Sequence, residues 1–126
     1  MLNKGLRDEQ AVRIDNILKT LLSLVFVPKF WNVTELSSID EQLEKFGMTL
    51  ETISNSSSED LFKLLKQNNL DFEQLEQFAD ILINLSKGSQ YNFGEKAISI
   101  YKFIQNESHT MSFSIMGKIA SAQAKL

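Results

Sequence analysis

The single histidine, His109, is the first residue of this chain to consider for catalysis. A catalytic histidine needs a carboxylate that orients its ring and a nucleophile within hydrogen-bond reach. Glu107, Ser108 and Thr110 supply those residue types, but they are its neighbours in a short polar turn between two predicted helices. Turns of this kind face solvent and do not hold their side chains in one geometry, so we predict no catalytic residue here.

The sequence also lacks the residue patterns of the common metal-binding and phosphate-binding sites. The chain has one histidine and no cysteine, whereas the common zinc sites take several such ligands. Residues 87–96, KGSQYNFGEK, contain two glycines, but they follow a helix and lack the Gly-Lys-Ser/Thr of a phosphate-binding loop. Four glutamates lie at spacings typical of solvated helix faces: Glu41, Glu44, Glu73 and Glu76. We therefore predict no enzyme, no metal and no cofactor, with a carboxylate-only enzyme as a low-ranked alternative.

Leu43, Gly47 and Ile53 fall where a helix-turn-helix carries apolar residues and its central glycine, so residues 43–55 resemble that DNA-binding motif. Phosphate contacts dominate affinity for DNA, and base recognition relies strongly on arginine. The second helix of this segment, LETISN, offers Glu51 and no basic residue, and the whole chain has a net charge of -3. We predict a packing corner at this position, with nucleic-acid binding as a low-ranked alternative.

Length and composition define the class of protein that contains these residues. With 126 residues, of which 43% are hydrophobic, the chain can form one globular domain, 1–126, with its own core. The apolar run from Ile17 to Val27 contains Lys19, Thr20 and Ser23, and it is too short to cross a bilayer. Acidic residues near the N-terminus do not fit a secretory signal. We predict a soluble, cytoplasmic protein that does not bind membranes.

The rest of the chain is organised around residues 75–85, LEQFADILINL. Apolar residues recur there at helical spacing and form one stripe: Leu75, Phe78, Ala79, Leu82 and Leu85. Ile81 and Ile83 extend the apolar surface beyond that stripe. A helix that is apolar on most sides must be covered on more than one side. We therefore predict a central helix that is packed by neighbours from both directions along the chain.

Capping signals divide the remaining sequence into helices. Ser38 with Glu41 and Asp71 with Gln74 have the spacing of capping boxes, and Gly47 is placed to end a helix. No stretch shows the sustained alternation of a strand. We predict an all-α fold of five to six short helices. The predicted starts are Arg7 or Asp8, Ser38, Ser57 or Ser58, Asp71, Glu95 and Ser112, with one further turn capped by Thr49.

An aromatic segment, VFVPKFWNV, follows the first predicted helix, which ends at Pro28. The segment can fold back over the core as a lid or form an exposed patch for a partner. The apolar stripe of the first helix leads directly into it, which favours a homodimer whose interface includes Trp31 or Phe30. The candidate interaction surface consists of aromatic residues: Phe26, Phe30, Trp31 and, from the last helix, Phe113.

Two predicted helices near the C-terminus carry a paired pattern of small and large residues. Ala97 and Tyr101 lie one turn apart on the first helix, and Phe113 and Gly117 lie one turn apart on the second. Residues 71–126 thereby resemble tetratricopeptide repeats, in which one helix carries Ala-x-x-x-aromatic and its partner carries a large residue before glycine. The resemblance implies an α-α hairpin or superhelix. It also implies that Gly117, and Ala79 on the central helix, lie where two helices approach closely.

The whole chain also resembles small, uncharacterised bacterial proteins that are all-helical and have tetratricopeptide-like tails, a resemblance that implies no activity. The helix pairs and the lack of catalytic residues favour a non-enzymatic helical protein–protein interaction module. Its predicted partner is another protein. A structural or regulatory homo-oligomer is the alternative.

Overall fold

The structure, a computed structural model, describes residues 2–25, 33–88, 91–108 and 112–124, and these residues form helices and turns without any strand. Seven helices occur in these residues: α1 (Leu2–Val25), α2 (Val33–Glu44), α3 (Leu50–Asn55), α4 (Ser58–Gln67), α5 (Phe72–Gly88), α6 (Gly94–Ser108) and α7 (Phe113–Ala124). The all-α prediction is confirmed. The described residues contain one helix more than the five to six predicted, because the turn that Thr49 caps forms the short helix α3.

The central position of α5 is confirmed. Its apolar stripe is buried, with α1 packed against it from one direction along the chain and α6 from the other. Ile81, which lies off the stripe, is also fully buried, so α5 is covered on more than one side. The remaining helices surround this centre: α2 packs on α1, α3 on α2, α4 on α6, and α7 on α6.

The predicted capping box starts α5. The Gln74 backbone N–H donates to Asp71 Oδ1 at 2.8 Å, and the Asp71 N–H donates to Gln74 Oε1 at 3.0 Å. Gln74 is only 3% exposed. Its Nε2 atom donates to Asp15 Oδ1 of α1 at 2.9 Å, which satisfies a buried amide that would otherwise be costly. The cap therefore also joins α5 to α1.

Residues 43–55 form a corner between α2 and α3. Gly47 adopts a φ of 81°, a left-handed conformation that glycine tolerates without steric cost. Leu43, Leu50 and Ile53 are buried, and the Leu50 N–H donates to Asp40 Oδ1 of α2 at 2.8 Å. The apolar residues that resemble a DNA-binding motif are therefore core residues, in agreement with the predicted packing corner.

Two predicted helix starts are wrong, those of α2 and α1. The pair Ser38 and Glu41 predicts the start of α2, but α2 begins at Val33 and contains both residues. The Ser38 hydroxyl donates to the Thr34 carbonyl, one turn earlier, at 3.2 Å. Serine can make this bond inside a helix, so a capping pattern alone does not locate a helix start. α1 also begins earlier than predicted, at Leu2.

α1 is the longest helix of the described residues, and one of its sides faces the core. Ile14, Ile17, Leu18 and Leu21 are buried at helical spacing, which fits the amphipathic helix predicted here. In the described part of the chain, no helix is long and apolar enough to cross a membrane.

α7 packs on α6, and its Ile115 belongs to the hydrophobic core, against which Ile119 also packs. Ser112 caps the helix, since the Ile115 N–H donates to Ser112 Oγ at 3.2 Å. Ile115 and Ala122 are buried, whereas Gly117 is exposed, and a Cβ atom added to it would meet nothing within 4 Å. The prediction that Gly117 lies at a close approach of two helices is therefore wrong within this chain. Ala79, which is fully buried on α5, fits that prediction.

Candidate functional site

A cleft of about 630 Å³ opens between α5, α6 and α7. Its walls also include Leu22 of α1, and Tyr91 and Asn92 in the turn before α6. Three of its lining residues, Gly94, Tyr101 and Ala122, are buried, so the cleft reaches the packed interior between the helices. Concave sites of this size, with a few polar groups on an apolar wall, are where proteins commonly bind ligands.

A second depression, of about 570 Å³, lies between α1 and the end of α2. Its described lining is mostly exposed, and only Ile17 among these residues is buried. Arg13 Nη2 donates to the Lys45 carbonyl at 3.1 Å, which joins the two helices there. This depression lacks a buried polar group, so the cleft between α5, α6 and α7 is the candidate site.

Four side chains from three helices meet beside the cleft, and we term them the polar cluster: Glu76 and Asp80 of α5, Tyr101 of α6 and Lys118 of α7. The Tyr101 hydroxyl donates to Asp80 Oδ1 at 2.5 Å. Lys118 Nζ donates to Glu76 Oε2 at 2.5 Å and to Asp80 Oδ2 at 3.1 Å. These charge-assisted hydrogen bonds are stronger than neutral ones, and they connect α5 with both α6 and α7.

Helix geometry explains why these four groups meet. Glu76 and Asp80 lie four residues apart and therefore share one face of α5. Their negative charges repel each other at that spacing, and Lys118 removes the repulsion by binding both. Tyr101 lies on the buried side of α6, where its hydroxyl requires a hydrogen-bond partner that Asp80 supplies.

Burial raises the pKa of the Tyr101 hydroxyl far above its ordinary value of 10.0, and the hydrogen bond to Asp80 raises it further. The negative charges of Asp80 and Glu76 act in the same direction. Tyr101 therefore stays neutral and donates its proton to a hydrogen bond throughout the physiological pH range. A phenol held in this form serves neither as a base nor as a nucleophile.

The pKa of Lys118 is also raised. Burial is the largest single effect and lowers it, but the hydrogen bonds to Glu76 and Asp80, together with their charges, outweigh burial. The amine therefore stays protonated at neutral pH, and a protonated lysine is not a nucleophile. Lys118 Nζ also lies 6.0 Å from the centre of the Tyr101 ring, within the range of cation–π attraction.

The arrangement can bind and orient a ligand, but it is poorly suited to proton transfer. A general acid or base works best when its pKa lies near the working pH, and the pKa values of Tyr101 and Lys118 are moved away from it. In the described ranges, no three His, Cys, Asp or Glu side chains lie close enough together to hold a metal ion. We therefore treat the cleft as a candidate binding site.

The predicted interaction residues do not line this cleft where the structure describes them. Phe113 lies on α7, is 86% exposed and is not part of the cleft wall. Phe26, Phe30 and Trp31 lie outside the described residues, as does His109. The two alternatives for the aromatic segment, a lid over the core or an exposed patch, therefore both stay predictions.

The structure corrects the prediction for Glu76, which is half-buried and bonded to Lys118 rather than solvated. The polar roles of Asp80, Tyr101 and Lys118 are not among the predictions from the sequence. Two signals could identify part of the cluster, namely two acids one turn apart and a tyrosine on an apolar helix face. No local signal identifies Lys118, because its role depends on where α7 packs.

The described residues form a small all-α helical bundle with an open cleft between α5, α6 and α7. No protein-family model, curated protein or solved structure matches this chain. The relationship to tetratricopeptide repeats therefore stays a prediction, and the geometry of the chain itself must support any function assigned to it.

Proposed function

We propose that this protein is a non-enzymatic helical module that binds a segment of a partner protein in the cleft between α5, α6 and α7. The observation that carries the proposal is the cleft of about 630 Å³ in which Tyr101 stays neutral and Lys118 stays charged. Groups held in one protonation state present a constant pattern of donors and acceptors, which suits recognition. Catalysis by proton transfer needs groups that change their state.

The charges along the cleft favour an uncharged occupant. The negative charges of Glu76 and Asp80 are balanced by Lys118 and by Lys87 in the cleft wall. A charged group that entered the cleft would lose its water without meeting an excess of the opposite charge. We therefore expect the contacting part of the partner to carry neutral side chains.

Uncharged polar side chains supply the remaining contacts. Asn84, Asn92 and Ser121 line the cleft together with apolar Leu22 and Ile83. Amide and hydroxyl groups both donate and accept hydrogen bonds, which matches the N–H and C=O groups of a peptide backbone. The volume falls within the range of roughly 300–1,000 Å³ that is typical of ligand pockets. The expected occupant is therefore a short peptide segment with at least one apolar side chain.

The resemblance to tetratricopeptide repeats is part of this proposal. α6 packs between α5 and α7, as successive helices do in a superhelix, and Ala97 and Tyr101 are buried. Phe113 and Gly117, which match the pattern of the other helix, are exposed instead. We propose a helix stack that resembles these repeats in its packing. The lack of cysteine supports a cytoplasmic location for it.

Two serines of α7 provide a matched test of the proposed function. Both are exposed, but Ser121 lines the cleft and Ser114 does not. Ser121→Trp should fill part of the cleft, whereas Ser114→Trp should leave it open. Tagged wild type and both variants are used to capture proteins from the source cell for mass spectrometry. Calorimetry with synthetic peptides of a captured protein then measures direct binding.

We expect wild type and Ser114→Trp to capture a protein and to bind a neutral peptide from it. Ser121→Trp should no longer retain that protein and should bind the peptide at least tenfold more weakly. Circular dichroism must show equal helix content in the three proteins. Equal binding by both variants would contradict the proposed site, because the partner would then contact another surface.

A further inference from the structure

Asn84 of α5 differs from the other buried and half-buried polar side chains of the cleft wall. It is half-buried there, and its side-chain amide has no bonding partner among the described residues. Ser86 makes two hydrogen bonds within the chain, at 2.9 Å and 2.8 Å. Asp80 accepts one hydrogen bond from Tyr101 and one from Lys118. The amide of Asn84 is therefore the half-buried polar group of the cleft that is left for a ligand.

We propose that Asn84 binds the backbone of an extended peptide that lies along α5 in the cleft. Its Nδ2 atom donates to the C=O of one peptide residue, and its Oδ1 atom accepts from the N–H of the same residue. The inference rests on the proposed function, because it names the conformation of the segment that the cleft binds and the residue that aligns it.

The chemistry of the amide distinguishes an extended peptide from a helical one. A primary amide carries a donor and an acceptor side by side. A residue of an extended chain offers the matching pair, because its N–H and C=O face the same neighbour, as they do between paired antiparallel strands. A residue inside a helix does not, since its N–H and C=O bond within the helix. Asn84 therefore favours the extended form.

The same amide also selects what lies over it. Water satisfies the hydrogen bonds of an amide that faces an open cleft. An apolar side chain placed over Asn84 would displace that water and leave a donor and an acceptor unpaired, which weakens binding. A peptide backbone displaces the water and replaces both of its bonds. The apolar side chains of the peptide are therefore expected against Leu22 and Ile83 instead.

The dimensions of α5 fit a short extended segment. The residues of α5 that line the cleft run from Asp80 to Lys87. This length is about 10 Å along the helix axis, and three extended residues span roughly the same distance. Asp80 precedes Asn84 by about 6 Å, which is close to the rise of about 6.6 Å for two extended residues. A peptide bonded to Asn84 thus brings a second, equivalent N–H near Asp80.

Asp80 can accept this second N–H. An ionised carboxylate accepts about four hydrogen bonds. Two are made within the chain, from the Tyr101 hydroxyl at 2.5 Å and from Lys118 Nζ at 3.1 Å. The Asp80 side chain is 30% exposed, which leaves room for a ligand. An extended peptide is therefore held at two positions that lie two residues apart.

Acetylated and amidated heptapeptides test the inference, because neither end is charged. A library built from alanine, leucine, serine and glutamine is screened on wild type, and calorimetry measures the affinity of the tightest peptide. Asn84→Ala should bind it about tenfold more weakly, as expected for the loss of two hydrogen bonds. Asn106→Ala is the matched control, since Asn106 is exposed on α6 outside the cleft, and its affinity should match that of wild type. Circular dichroism must show equal helix content.

Methylation of single backbone nitrogens of this peptide locates the two bonds. Each N-methyl group removes one N–H and keeps the side chains. Two positions, two residues apart, should lose affinity for wild type. On Asn84→Ala, one of them should lose its effect, whereas the other should keep it because Asp80 is still present. This coupling is a double-mutant cycle, and it would not arise if Asn84 acted only on the stability of α5.

Three results would overturn the inference. If Asn84→Ala binds like wild type while Ser121→Trp does not bind, the cleft binds peptides without the help of Asn84. If the sensitive positions lie three or four residues apart, or if a lactam bridge that fixes the peptide as a helix tightens binding, the occupant is helical. Both results leave the proposed function intact. If no heptapeptide binds wild type, or if Ser121→Trp binds equally well, the proposed site fails together with this inference.

Discussion

α5 and α7 are held in the bundle by different forces. α5 buries its whole apolar stripe between α1 and α6. α7 buries Ile115 and Ala122 against α6, and its further link to α5 is the pairing of Lys118 with Glu76 and Asp80. Full burial of a large apolar side chain contributes about 1.5–3 kcal/mol, so apolar packing stabilises α5 far more than α7.

This difference predicts two levels of stability within one bundle. Apolar burial does not depend on protonation, whereas the ionic link of α7 depends on protonation and is weakened by salt. Segments with few buried contacts open before the whole protein unfolds. We therefore expect α7 to exchange its amide hydrogens faster than α5, and we expect this difference in rate to increase at high salt. α7, the more weakly attached of these two helices, also lines the cleft.

The largest expected change in the free energy of unfolding comes from the apolar packing of α5. Leu82 is fully buried in the middle of α5, so Leu82→Ala should leave a cavity and lower the free energy of unfolding by about 2–5 kcal/mol. Lys87→Ala, an exposed change on the same helix, should alter it by no more than about 0.5 kcal/mol. Chemical denaturation followed by circular dichroism measures both values. Equal midpoints for the two variants would show that α5 is not the centre of the core.

Tyr101 takes part in both the apolar packing and the polar cluster. It is buried on α6, and its hydroxyl is bonded to Asp80 of α5. Tyr101→Phe removes the hydrogen bond to Asp80 and should lower the free energy of unfolding at pH 7 by about 1.5–3 kcal/mol. The control is Lys102→Ala, an exposed change on the same helix, which should alter the free energy of unfolding by no more than about 0.5 kcal/mol. An unaltered unfolding energy for Tyr101→Phe would mean that water replaces the bond without loss.

The pH dependence follows from the raised pKa of Tyr101, which burial and the bond to Asp80 cause. At pH values below 10.0, the ordinary pKa of tyrosine, the Tyr101 hydroxyl is protonated in both the folded and the unfolded chain. Its stabilising effect is therefore fully present there. Above that value the unfolded chain loses the proton first, and stability falls by about 1.4 kcal/mol per pH unit for one group. Denaturation between pH 9 and pH 11 should show a steeper loss for wild type than for Tyr101→Phe.

The smallest expected effect is on the attachment of α7. Lys118→Met keeps an apolar stem but leaves Glu76 and Asp80 without their shared cation, and both carboxylates are partly exposed. We expect a loss of about 1 kcal/mol, in the upper range for exposed ion pairs. Lys102→Met, on the exposed side of α6, is the matched control. Hydrogen exchange should show faster opening of α7 in Lys118→Met alone, and equal opening in both variants would contradict the ionic attachment.

Some features of the fold are predictable because they are local. The caps at Asp71 and Thr49 and the turn at Gly47 depend on residues within one helical turn of each other, and all three occur as predicted. The apolar stripe of α5 is equally local in origin. Ser38 shows the limit of this reasoning, because its hydroxyl can bond to the carbonyl one turn earlier as well as cap a helix, and the backbone around it decides which.

The candidate site is only partly predictable for a related reason. Glu76 and Asp80 lie one turn apart, which indicates a cation nearby, but the sequence does not say which one. The cation is Lys118, 38 residues after Asp80. Its position depends on how α7 packs against α6, and that packing depends on burial summed over several helices. Phe113 is predicted as an interaction residue from its type, and the structure adds that it is exposed.

The sequence by itself determined the all-α class, the central helix and most of the helix ends, because periodicity and capping act over a few residues. Only the tertiary structure decided which helix faces meet. It placed Lys118 between two carboxylates, turned Gly117 and Phe113 outward, and opened the cleft between α5, α6 and α7. The physical reason is that these arrangements depend on contacts between residues far apart in the chain, for which local spacing carries no signal.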